Sequence, residues 1–122
     1  MSSSRTNGDK SSSLRWLAWD GSAFLLAQES DRPIFLYLYV PWSTAIHGFE
    51  QDVLTDEQVI KTLESSYVTV KVNALHRPDV FERYNQGEWP SISLLSPDGD
   101  LLHGFSNPRL VHLQDTLEQV AV

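Results

Sequence analysis

The chain has 122 residues, 41% hydrophobic and 20% charged, a composition that suits one globular domain with a single core. Sixteen acidic against nine basic residues give a formal net charge of −7, and the basic residues are scattered, so no basic stripe exists to neutralise a nucleic-acid backbone. The absence of cysteine excludes structural disulfides, thiolate metal sites and thiol–disulfide exchange by this chain alone.

The opening segment "MSSSRTNGDKSSS" is Ser-rich and has no hydrophobe after Met1. It cannot bury enough surface to offset ordering entropy, so residues 1–13 are expected to be a flexible tail ahead of a domain over residues 14–122. It also lacks the apolar core of a secretory signal. The longest apolar stretch, "PIFLYLYVPW", is far short of a membrane span. The expectation is a soluble cytoplasmic protein with no nucleic-acid or membrane partner and no cofactor.

In "LRWLAWDGSAFLLAQESDRP", residues Trp16, Trp19, Ala23, Phe24, Leu26 and Ala27 fall near helical spacing. Asp20 or Ser22 is available as the cap, and Pro33 sets a stop. "IFLYLYV" (34–40) is a continuous β-prone run, the mark of a central strand covered on both faces. A helix opens near Ser43. "TDEQVIKTLESS" begins with the capping-box spacing Thr55-x-x-Gln58, followed by an apolar face of Val59, Ile60 and Leu63.

"YVTVKV" (67–72) alternates and predicts a second strand. "RPDVFERYNQ" places Pro78 early, with Val80, Phe81 and Tyr84 on one side of a short helix. "SISLLS" (91–96), the Pro-Asp-Gly turn and "LLHGF" (101–105) form a β-hairpin. "NPRLVHLQDTLEQVAV" predicts a closing helix capped by Asn107, with Pro108 in its first turn and Leu110, Val111, Leu113, Leu117 and Val120 facing the core.

Strands separated by helices require a parallel pair, and the last two strands pair antiparallel. The order fits an α/β fold with a central four-stranded mixed sheet, helices on both faces, and a C-terminal hairpin and helix. That architecture is thioredoxin-like.

Several pieces occur in one order: Trp16-x-x-Trp19, Ala23 and Ala27 ahead of "PIFL", "DEQV" (56–59), "YVTVKVN" (67–73), "RPDV" (77–80), "WP" (89–90) and "PDG" (97–99). Together they resemble the thioredoxin-like domain of the spermatogenesis-associated protein 20 family, a domain of unknown function, over roughly residues 16–105. The resemblance implies a "C-H-W-C-H" segment where this chain reads Ser43-Thr44-Ala45-Ile46-His47. Alignment to thioredoxins in general, on the Trp before the first cysteine, places Trp42 in that role and gives the same two positions, Ser43 and Ile46. Only His47 keeps its type. Larger family members continue into a helical barrel resembling sugar-processing enzymes, so the chain is either a lone domain or a piece of a longer protein.

Disulfide exchange needs an attacking thiolate and a resolving thiol. Ser43 stays protonated near neutral pH and Ile46 has no heteroatom, so the plain reading of Ser43 is a helix N-cap whose oxygen accepts a backbone N–H. Ser43 and His47 stand at i, i+4, yet a serine nucleophile also needs a carboxylate partner and oxyanion donors, and no nucleophile elbow is present. His47, His76, His103 and His112 show no paired metal-ligand spacing. Trp89-Pro90 precedes a strand where thioredoxin folds carry a cis-proline, and in active relatives that loop offers backbone groups to an extended peptide.

The expected function is therefore a redox-inactive binding module for a protein or peptide. Its vestigial site comprises Trp42, Ser43, Thr44, Ala45, Ile46 and His47, and its partner surface is Trp42, Trp89 and Pro90. Trp42 and Trp89 are expected to be the exposed pair, while Trp16 and Trp19 pack the first helix onto the sheet. Acidic Glu50, Asp52, Asp56 and Glu57 favour basic partners. The rivals are a structural domain or subunit of a larger assembly that binds through another surface, such as the C-terminal helix, and a non-redox enzyme using Ser43 and His47.

Overall fold

The strand β1 (Ile34–Tyr39) organises the chain, because its apolar side chains point to both faces of a sheet and both faces are covered. Phe35 and Tyr37 enter one core, and Ile34, Leu36 and Leu38 enter the other. Each such fully buried side chain contributes roughly 1.5–3 kcal/mol of transfer free energy. The structure is a computed structural model that describes residues 14–121. The segment 1–13, read from sequence as a tail, lies outside the described residues, as does Val122.

The sheet runs β2-β1-β3-β4. β2 (Val68–Asn73) lies parallel to β1, with Ile34 opposite Val68 and Tyr39 opposite Asn73. β3 (Ser91–Leu95) lies antiparallel on the other side of β1, with Leu38 opposite Ser91. β4 (Leu101–Ser106) pairs antiparallel with β3, with a register shift between Leu94 and Leu95. Leu17 meets the outer edge of β2: its N–H donates to Thr69 O at 2.9 Å, and Lys71 N–H donates to Leu17 O at 3.1 Å.

Helices α1 (Gly21–Ser30) and α4 (Pro78–Tyr84) cover the face holding Leu36. Helices α2 (Thr44–Asp52), α3 (Glu57–Ser66) and α5 (Leu110–Ala121) lie on the Phe35 and Tyr37 side. Both expected strands of the hairpin form, and Gly99 sits in their turn with φ 95°. A Cβ there would lie 3.3 Å from the Phe24 ring, so both backbone and space favour glycine. The Tyr84 hydroxyl fixes this turn by donating to Gly99 O at 2.7 Å.

Four local expectations need correction. Of the two caps offered for the first helix, Asp20 serves, its Oδ1 accepting from Ser22 N–H at 3.0 Å and Ala23 N–H at 3.4 Å, so the helix starts at Gly21. Trp16 and Trp19 therefore precede the helix and serve opposite faces. Trp16 packs on Tyr37 with ring centroids 5.5 Å apart, and Trp19 packs edge-on to Phe24 at 4.9 Å.

The cap of α3 is Asp56, whose carboxylate accepts from Val59 N–H at 3.1 Å; Thr55 instead donates to Gln51 O. α5 starts at Leu110, beyond Asn107 and Pro108. Asn107 takes φ 48° and donates its N–H to Pro90 O, so it belongs to the exit from β4. Leu113 and Leu117 are fully buried, whereas Val111 lies on the opposite side of the helix and is exposed.

Candidate functional site

Register brings the two halves of the expected site to one end of the sheet. Leu38 opposes Ser91, so the chain leaving β1 towards Trp42 and the chain entering β3 from Pro90 meet at the same edge. The third contribution comes from β2: Ala74 N–H donates to Tyr39 O at 2.9 Å, and the next residue is Leu75.

Trp42 is 65% exposed and Leu75 is 54% exposed. Leu75 carries little sequence signal, being a lone apolar residue beyond a strand end. Ser43 takes the N-cap position of α2 with extended backbone (φ −81°, ψ 126°), but its side chain makes no capping hydrogen bond. The capping role read from sequence is thus positional only. Thr44 and His47 are exposed, Ser43 and Ala45 half-buried, and Ile46 buried. Ile46 and Phe49, three residues apart, turn the same side of α2 inward. Among the described residues no hydrogen bond or ion pair engages the side chain of Ser43 or His47, with each other or with a carboxylate.

The Trp89-Pro90 peptide bond is cis, as the sequence position led us to expect. Pro90 is buried and its carbonyl accepts from Asn107 N–H at 2.9 Å. Trp89 departs from expectation: it is half-buried, stacked on Phe81 with ring centroids 5.6 Å apart, because Phe81 on α4 offers it a flat apolar surface. Of the expected pair, Trp42 and Trp89, Trp42 alone is exposed. The main chain at Trp89 is different from its side chain. Among the described residues neither its N–H nor its carbonyl is hydrogen-bonded.

Behind the turn lies a charged and aromatic cluster. The Tyr37 hydroxyl donates to Glu50 Oε2 at 2.9 Å, and Lys71 Nζ stands 3.7 Å from the same oxygen. Lys71 also lies over the Tyr39 ring at 5.1 Å and the Tyr37 ring at 5.7 Å. Burial pushes the Tyr37 phenol well above its ordinary value, and the Glu50 charge adds to this. Glu50 is therefore committed to the fold, which weakens it as a docking charge for basic partners.

The four histidines are not all isolated: His103 on β4 and His112 on α5 bring their rings to 6.2 Å. Among the described residues no group of three or more potential metal ligands forms. No helix among them is long and apolar enough to cross a membrane.

The model of the family described as "Protein of unknown function, DUF255", a thioredoxin-like family whose label refers to DsbH, matches residues 2–109. Curated relatives include an uncharacterized protein of Caenorhabditis elegans, 31% identical over 91 residues, and human spermatogenesis-associated protein 20, 30% identical over 91 residues. Each match covers 68% of this chain and 12% of the relative, so the chain spans about an eighth of the length of these proteins.

Among solved structures, a thioredoxin from Thermus thermophilus superposes with a TM-score of 0.78 at 24% identity, covering 90% of this chain and 88% of that one. A protein described as DsbH oxidoreductase superposes with a TM-score of 0.73 at 12% identity, covering 86% and 85%. These likenesses fix the fold as thioredoxin-like. Fold and family model agree, and the chain belongs to the DUF255 family, as a thioredoxin-like domain without cysteine.

Proposed function

We propose that the domain is a redox-inactive thioredoxin-like module that binds an extended peptide or partner segment at the end of the sheet formed by Trp42, Leu75, Trp89 and Pro90. The observation that carries this reading is the free main chain of Trp89. An N–H and a carbonyl without internal partners, at the mouth of a sheet, suit an added strand, whose own backbone would satisfy both. Trp42 and Leu75 supply exposed apolar area beside it. Ser43 and Ile46 stand where the fold's chemistry would need thiols, so recognition is the property left to this end of the molecule.

A structural role is the second reading, favoured by the stacking of Trp89 on Phe81, which gives that side chain a packing function independent of any ligand. Capture by immobilised protein separates the two. Trp42→Ala with Leu75→Ala removes exposed surface only, so the fold should persist. Binding at this end means that partners retained by the wild type are lost from the double variant. An identical retained set would sink the site.

A further inference from the structure

A cavity of about 320 Å³ lies far from Trp42, beside the N-terminal end of β2, between α1 and α3. Its size falls at the lower end of small-molecule sites. Leu14, Leu17, Leu26, Leu63 and Val68 give it an apolar lining. The polar groups around it are unequally available. The Tyr67 hydroxyl is already donated to Leu117 O at 2.7 Å, and the Thr69 hydroxyl to Arg15 O at 2.8 Å.

What remains is ionic. Arg15 and Arg32 line the cavity against one carboxylate, Glu64, so a chain with net charge −7 presents a locally positive wall here. Arg32 is held in place by Ser30 Oγ at 3.1 Å and by the carbonyls of Glu64 and Tyr67 at 3.4 and 3.5 Å. Arg15 is exposed, and its guanidinium has no hydrogen-bond or ion-pair partner among the described residues. An anchored guanidinium and a free one among the residues lining an apolar hollow match a particular ligand chemistry, an anionic oxygen pair on an apolar body.

We propose that this cavity binds an aliphatic carboxylate, its chain lying on Leu17, Leu63 and Val68 and its head taken by Arg15 and Arg32. The site is independent of the Trp42 surface, and either can fail without the other. Free medium-chain acids and the C-terminus of a peptide ending in aliphatic residues share this chemistry.

The test is titration of the isotope-labelled full chain with octanoate, octan-1-ol, octylammonium and N-acetyl-Leu-Leu, followed by amide chemical shifts. Octanoate should give saturable shifts at Leu17, Val68 and Thr69 and none at Trp42, while octylammonium gives none. Octan-1-ol should bind roughly tenfold or more weakly than octanoate, and Arg15→Gln should weaken octanoate by a similar factor. Because the Arg15 guanidinium holds no structural contact, this variant keeps the fold, which circular dichroism checks. Tighter binding of N-acetyl-Leu-Leu than of octanoate assigns the site to peptide C-termini, and the reverse assigns it to small acids. No saturable shift with either acid, equal binding of octan-1-ol, or an unaltered affinity in Arg15→Gln overturns the proposal.

Discussion

The Tyr37 hydroxyl donates a 2.9 Å hydrogen bond to Glu50 Oε2, tying the central strand to α2, the helix that begins at Thr44. Tyr37 is fully buried, and Phe49 of the same helix stacks on its ring at 5.7 Å. The bond therefore fixes the azimuth of α2 rather than decorating its surface. Tyr37→Phe should cost about 1–2 kcal/mol, since Glu50 stays near enough to solvent to recover water. The thermal midpoint, followed by circular dichroism, should fall by roughly 3–8 °C. An unchanged midpoint would show the bond to be energetically idle.

The same phenol sets an alkaline limit. Tyr37 and Tyr67 are both pushed above the ordinary tyrosine value, in each case first by burial. In the unfolded chain tyrosine ionises near about pH 10. The folded state holds these protons more tightly, so their contribution is complete below about pH 10 and is lost as pH rises above it. The guanidinium midpoint should drop between about pH 9 and about pH 11, and Tyr37→Phe should make that drop shallower. A pH dependence that ignores the substitution would assign the loss to other groups.

Helix capping offers a direct contrast between two residues. Asp56 accepts a backbone hydrogen bond at 3.1 Å and also receives Gln114 Nε2 at 3.3 Å, whereas the Ser43 side chain caps nothing. Asp56→Ala should cost about 1 kcal/mol in denaturant unfolding. Ser43→Ala should change stability by less than about 0.5 kcal/mol. The opposite order would restore Ser43 as a working cap.

These contrasts mark where the sequence was readable. The continuous apolar run "IFLYLYV", the Pro-Asp-Gly turn and the alternation of "YVTVKV" are legible because each is a local pattern whose burial follows directly. The order of elements then allowed few sheets, and the mixed four-stranded one formed. Local competition was not legible. Thr55 and Asp56 both satisfy capping rules, and only the path out of α2, where Thr55 bonds Gln51 O, decides between them. The half-burial of Trp89 has no local signature, because its partner Phe81 lies on a different element, out of reach of any local pattern. The missing hydrogen bonds at Trp89 and the cavity beside Arg15 are likewise tertiary properties with no sequence signature.

The correspondence of Ser43 and Ile46 to thiol positions can be tested by restoring the chemistry. Ser43→Cys with Ile46→Cys places two thiols at the start of α2, where the helix N-terminus favours the thiolate. Mild oxidation should form one reversible intramolecular disulfide, read by mass spectrometry with thiol alkylation, and the reduced variant should gain activity in an insulin-reduction assay that reads blank for the natural chain. Thiols that stay free under oxidation would dissociate these positions from the fold's redox geometry.

If a partner segment adds to the main chain at Trp89, as we propose, amide hydrogen exchange at that residue reports it. In the free protein the Trp89 amide, without an internal acceptor, should exchange quickly. With a captured peptide at saturation it should slow by roughly tenfold or more, and Trp42→Ala should reverse the protection at the same peptide concentration. Unchanged fast exchange at Trp89 in the bound state would rule out strand addition there.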